Sequence, residues 1–171
     1  MAEREWIQGQ ICFLERHEIN SRLIDGLEDH WNALRGDRPM PRRDEIDPVE
    51  LAPWLPYISI MELHYDPFRV RYRVVGTEVA RIVGEDFSHR WLDETGWGDA
   101  AIALNRLLYE RVAECRAPSF GLSVVEWQGK LDHVFQWALF PLGSGETVTH
   151  CLSLDDLSVI SPRSWLLPLG S

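Results

Sequence analysis

The chain has 171 residues and a formal net charge of −10, long enough for one packed domain with an extension and too acidic for a nucleic-acid or anionic-membrane partner. It is 45% hydrophobic and 26% charged, as globular proteins are, and its eight Trp suit a core, a cavity or an interface. Cys12, Cys115 and Cys151 show no Cys-x-x-Cys spacing, the first residues have no apolar core of signal-peptide length, and no apolar run reaches about 18 residues. Small buried thiols in the cytoplasm are expected.

From about Glu15 to Leu34, Ile19, Leu23, Leu27, Trp31 and Leu34 recur at helical spacing, and Gly36 supplies a stop. Cys12, Phe13 and Leu14 either extend that face backward or form a separate lead-in. Five prolines between residues 36 and 56 enforce an extended strap, interrupted where Asp47 and Pro48 begin one helical turn.

Tyr57–Tyr65 and Phe68–Gly76 read as a hairpin about Asp66-Pro67. That pairing sets Leu63 opposite Val70, Met61 opposite Tyr72 and Ser59 opposite Val74; Glu62 meets Arg71 and His64 meets Arg69 on the charged face. A short helix over Thr77–Val83, capped by Thr77 and stopped by Gly84, precedes a loop anchored by Phe87, Trp91 and Trp97. A longer helix follows from about Asp99 to Glu114.

Three strands close the chain, near Ser119–Trp127, His133–Leu142 and Thr147–Leu157. Centring the last hairpin on Gly143–Glu146 pairs Leu139 with His150, Trp137 with Leu152 and Phe135 with Leu154. The apolar tail around Trp165–Leu167 is expected to dock. Helical and strand blocks are segregated, which predicts an α+β fold with an antiparallel sheet. Both faces of the last hairpin are apolar, so the N-terminal helix or a second subunit must cover the outer one.

The segments Trp31–Gly36, Pro41-Arg42-Arg43-Asp44, Ile46-Asp47-Pro48 and Tyr72-Arg73-Val74-Val75-Gly76-Thr77, in this order, resemble a stand-alone bacterial PAS subfamily over roughly residues 23–157. The resemblance implies a five-stranded antiparallel sheet with helices on one face around a small cavity, and an N-terminal helical cap. It also implies signalling or adaptor roles and homodimerisation, often through that helix, here with Leu23, Leu27 and Trp31. The expected division is a helical extension over 1–36, a PAS-like domain over 37–160 and a tail over 161–171.

Flavin-binding relatives carry an Asn-Cys-Arg-Phe-Leu-type motif, whereas this chain reads Gly84-Glu85-Asp86-Phe87-Ser88. The long helix has no His for haem, and residues 85–98 hold no Cys for a covalent chromophore, so no familiar cofactor is expected. Tyr72, Trp91, Trp97, Phe135 and Trp137 are the aromatic set that either lines a ligand cavity or fills it. Arg73 needs a partner within the hairpin, and Asp44 or Asp47 of the strap would make it a structural pin. No histidine spacing suits a metal, neither Cys115 nor Cys151 follows a nucleophile signature, and adjacent Asp155 and Asp156 point to opposite faces of their strand.

The reading is a non-enzymatic sensor or adaptor that binds an unidentified small ligand and acts on a partner signalling protein through contacts. The alternatives are a small acid/base enzyme on a cone-shaped α+β fold of the ketosteroid isomerase kind, and an interaction module with a filled core.

Overall fold

In chain order the elements are β1 (Ile11–Leu14), α1 (Arg22–Arg35), β2 (Ile58–His64), β3 (Arg69–Val75), α2 (Thr77–Val83), α3 (Asp99–Cys115), β4 (Ser119–Trp127), β5 (Lys130–Ser144), β6 (Thr147–Asp155) and β7 (Ser161–Pro162). They are those of a computed structural model that describes residues 4–127 and 129–166. The strands form one antiparallel sheet in the order β1-β4-β5-β6-β2-β3. The five expected strands are β2 to β6. Two more flank them: β1, built from the unassigned Cys12-Phe13-Leu14 stretch, borders β4, and β7 takes the edge of β5 that β6 has left. Three strands, β1, β2 and β3, precede the long helix α3, unlike the cone-shaped enzyme fold, which begins with long helices. Of the tail expected to dock, Ser161–Pro162 pairs with β5, while residues 167–171 lie outside the described residues.

Helix α1 starts later than the periodicity suggests. Arg16–Glu18 form a separate 3-10 turn, and Ser21 is the true N-cap, accepting from the Ile24 amide. Gly36, at φ +56°, ends the helix. Ile24, Leu27 and Trp31 are buried on one face, and Leu23 is half-buried beside them. The Trp31 indole donates to the Pro141 carbonyl at 2.9 Å, fixing α1 across the outer sheet face. Met40, Ile46 and Leu51 of the strap fill the same layer, and the Gly143 amide donates to the Pro41 carbonyl at 2.9 Å. Full burial of side chains such as Ile24 and Leu27 stabilises by about 1.5–3 kcal/mol each. This chain therefore covers its own outer face, and Ile11, Ile19, Ile24, Leu27 and Trp31 belong to the same core as the strands.

Two registers differ from the sequence reading. In β2–β3 the pairs Leu63–Val70, Met61–Tyr72, Glu62–Arg71 and His64–Arg69 form as expected, but a bulge shifts Ser59 onto Val75. Arg73 is the residue left without a partner in the ladder. In β5–β6 the turn is shorter than expected. Both strands continue to Ser144 and Thr147, and Leu139 pairs with Ser153, Phe140 with Leu152 and Trp137 with Asp155. Gly143 can continue the strand because its backbone nearly touches that of β6: a Cβ there would lie 2.0 Å from the Thr147 carbonyl oxygen. The displacement of three residues exchanges the faces of β6 relative to β5.

Candidate functional site

The β6 register places Leu152 and Leu154 under α1 and the strap, and Ser153 and Asp155 on the face covered by α2 and α3. Between that face and the helices is a cavity of about 690 Å³, within the usual range for small-molecule sites. The chain turns from β3 into α2, one of the elements lining the cavity, at Gly76, the N-cap of α2 in place of the expected Thr77. A Cβ at Gly76 would stand 2.4 Å from the Pro56 carbonyl oxygen, so only glycine lets β3 turn into α2 this tightly against the strap.

Tyr72, Trp97, Phe135 and Trp137 line the cavity. Tyr72, Phe87 and Trp97 form an aromatic cluster with ring centroids 4.7, 4.8 and 5.8 Å apart. Trp91, expected with them, lies elsewhere. The backbone of residues 89–91 adds to the outer edge of β3, and the Trp91 ring packs against His64 and under the Arg69 guanidinium, 4.0 Å from its centroid. Once Arg90 and His89 bond to the Tyr72 backbone, the following side chain is carried outside the cavity.

The tyrosine hydroxyls of Tyr72 and Tyr109 are 2.9 Å apart, β3 bonded to α3. Burial raises the pKa of both above the ordinary tyrosine value. Sequence reading missed Tyr109, whose place on the inner face of α3 shows only once the helix is docked.

It also missed Asp155. This carboxyl lines the cavity, and among the described residues it has no hydrogen-bond or salt-bridge partner. Its environment pushes its pKa from 3.8 to about 7, entirely through loss of solvation. The part of Asp155 that is accessible belongs to the cavity wall, so partial exposure and strong desolvation coexist. Trp137, its partner across the ladder, leaves its indole N–H without an acceptor among the described residues, and the Ser153 hydroxyl donates to the Ser59 carbonyl. An acid within an apolar strand was the available signal, but the register hid which face it occupies. Neighbouring Asp156 does face the other way, accepting from the Ser21 hydroxyl at 2.5 Å and from the Ser158 amide.

Arg73 pairs with Glu62 on β2 at 3.3 Å rather than with the strap. Asp44 accepts from Arg42, and Asp47 caps the Val49 amide. The bulge turns the guanidinium toward solvent and its neighbour strand, so neither aspartate pins it. The strap is instead held to α1 by Arg38, which donates to the Leu34 and Arg35 carbonyls at 2.6 and 3.0 Å and makes two bonds of 2.8 Å to the Glu45 carboxylate within the strap; the Arg38 bonds, with one from the Arg42 amide, lower the Glu45 pKa to about 2.

Cys12 and Cys151 are buried, and burial raises both thiol pKa values. Cys115, expected to be buried, is exposed at the end of α3. Among the described residues no group of His, Cys, Asp and Glu is disposed to hold a metal, and no helix is long and apolar enough to cross a membrane.

Comparison with known proteins agrees with this architecture. A family model described as PAS domain matches residues 19–142, from just before α1 to near the end of β5. No curated protein matches the chain. A match over well over half the sequence, joined to five antiparallel strands around a helix-covered cavity, places the chain in the PAS domain family.

Proposed function

We propose that this PAS domain is a non-catalytic cytoplasmic sensor that holds a small molecule between its sheet and α2–α3 and signals to a partner protein by contact. The observation that carries this reading is the 690 Å³ cavity, walled by Tyr72, Trp97, Phe135 and Trp137. An aromatic-walled space of this size suits an apolar ligand body. A ligand shifts the protein between two arrangements by its difference in affinity for them.

Native mass spectrometry of the protein purified from cells tests the proposal. The expected spectrum shows a mass excess that denaturation releases. A bare chain whose tryptophan emission responds to no member of a library of small apolar compounds would leave a filled interaction module instead.

The proposal includes a homodimer. The apolar face of α1 is already packed on its own sheet, so the second copy must dock on another surface. Sedimentation should give twice the monomer mass at high micromolar concentration, and a monomer there removes the dimer.

A further inference from the structure

The charges around the cavity share one sign. Its lining includes Asp155 and, at the start of α3, Asp99, and no Lys, Arg or His. A carboxylate in such a place is costly unless something compensates it. Among the described residues no side chain bonds to it: Tyr72 and Tyr109 share one hydrogen bond with each other, Trp137 gives its N–H to no acceptor, and desolvation alone acts on the Asp155 carboxyl. The remaining wall is mainly aliphatic and aromatic with a few amide and hydroxyl side chains, and Tyr72, Trp97 and Trp137 are among its rings; the faces of Tyr and Trp rings attract cations, most strongly where water is excluded.

We infer that the cavity takes a small organic cation, a protonated amine or quaternary ammonium on an apolar body, with Asp155 as its counter-charge and the Tyr72 and Trp97 rings as its cage. The inference rests on the cavity being a ligand site and adds the chemical class of the ligand. It is a recognition role, and no bond is made or broken.

A pH signature follows. Asp155 is protonated below about pH 7 and ionised above it, so cation affinity rises with pH through that range. The other titratable groups facing it are Tyr72 from β3 and Tyr109 and Asp99 from α3; α2, β4 and β5 contribute apolar, aromatic or hydroxyl side chains to the lining. Burial keeps both tyrosines protonated throughout.

Calorimetric titration of the full chain with 4-phenylbutylamine and with 4-phenylbutanol, equal in length but neutral, tests the inference. At about pH 8.5 the amine should bind at least ~10-fold tighter than the alcohol, a preference lost by about pH 5.5 although the amine stays protonated. In Asp155→Asn the two probes should bind alike at both pH values. Equal binding by the wild-type chain at the higher pH overturns the cation and leaves the cavity as a site for neutral ligands. An amine preference that survives Asp155→Asn, or that grows as pH falls, also overturns it. Binding of neither probe at millimolar concentration overturns both the cation and the ligand-site reading. The wild-type pH series stands independently should the variant fold poorly.

Discussion

Asp155 gives the single-residue scale its clearest prediction. Its folded pKa, about 7, lies above the ordinary value of 3.8, so between those pH values the folded chain holds a proton that the unfolded chain has released. The stabilising contribution is full below the lower value and is lost as pH rises through the upper one. Asp155→Asn should therefore resemble the parent near pH 4 and exceed it by about 2–4 kcal/mol near pH 8, read from urea denaturation midpoints. Tyr72→Phe would leave the Tyr109 hydroxyl buried without its partner and should cost about 1–3 kcal/mol. Adding Tyr109→Phe should cost less than the sum of the single changes, a coupling that a double-mutant cycle measures. Sequence reasoning reached the aromatic wall at Tyr72, Trp97, Phe135 and Trp137 because large rings following strand and loop signals have few other places to go. It lost Trp91 and Arg73 because backbone pairing along the β3 edge and a one-residue bulge re-aimed them, and neither leaves a mark in composition.

At the scale of elements, the hairpin β2–β3 was legible because its two faces differ, apolar against charged, so only one alignment satisfies both. The β5–β6 hairpin offers apolar side chains on both faces, and turn length alone had to set its alignment. Gly143 looked like the start of a turn and is instead a point of backbone contact. The resulting error of three residues hid Asp155. The start of α1 was misplaced for a related reason, since Ile19 continues the apolar period although the chain is not yet helical there. Ser21 is the residue that fixes this start. Ser21→Ala removes both the cap on the Ile24 amide and the hydroxyl bound to Asp156, and should cost about 2 kcal/mol, visible as a lowered thermal midpoint. Gly76→Ala should destabilise by at least ~1–3 kcal/mol, because the added carbon meets backbone rather than a movable side chain.

For the molecule as a whole, element order carried the fold: two strands, short helices, a long helix and three strands pack antiparallel in only a few ways. The sheet buried on both sides was also legible, since an apolar face on each side demands two covers. Whether the inner cover leaves space could not be read, because that depends on how far α3 stands from the strands, a distance set by packing rather than by pattern.

The alternation of β6 brings interior and exterior within one peptide bond of each other. Asp155 looks into the chamber and Asp156, its covalent neighbour, grips the first turn of the outer helix through Ser21. For the ligand proposed above, a pull on the former would reach the anchorage of the latter through one peptide bond, a route that involves neither α2 nor α3. Hydrogen exchange should show it: ligand should alter protection of the Asp25 amide, which donates to the Ser21 carbonyl, in the parent chain, and Ser21→Ala, which keeps that carbonyl but cuts the link to Asp156, should silence that response.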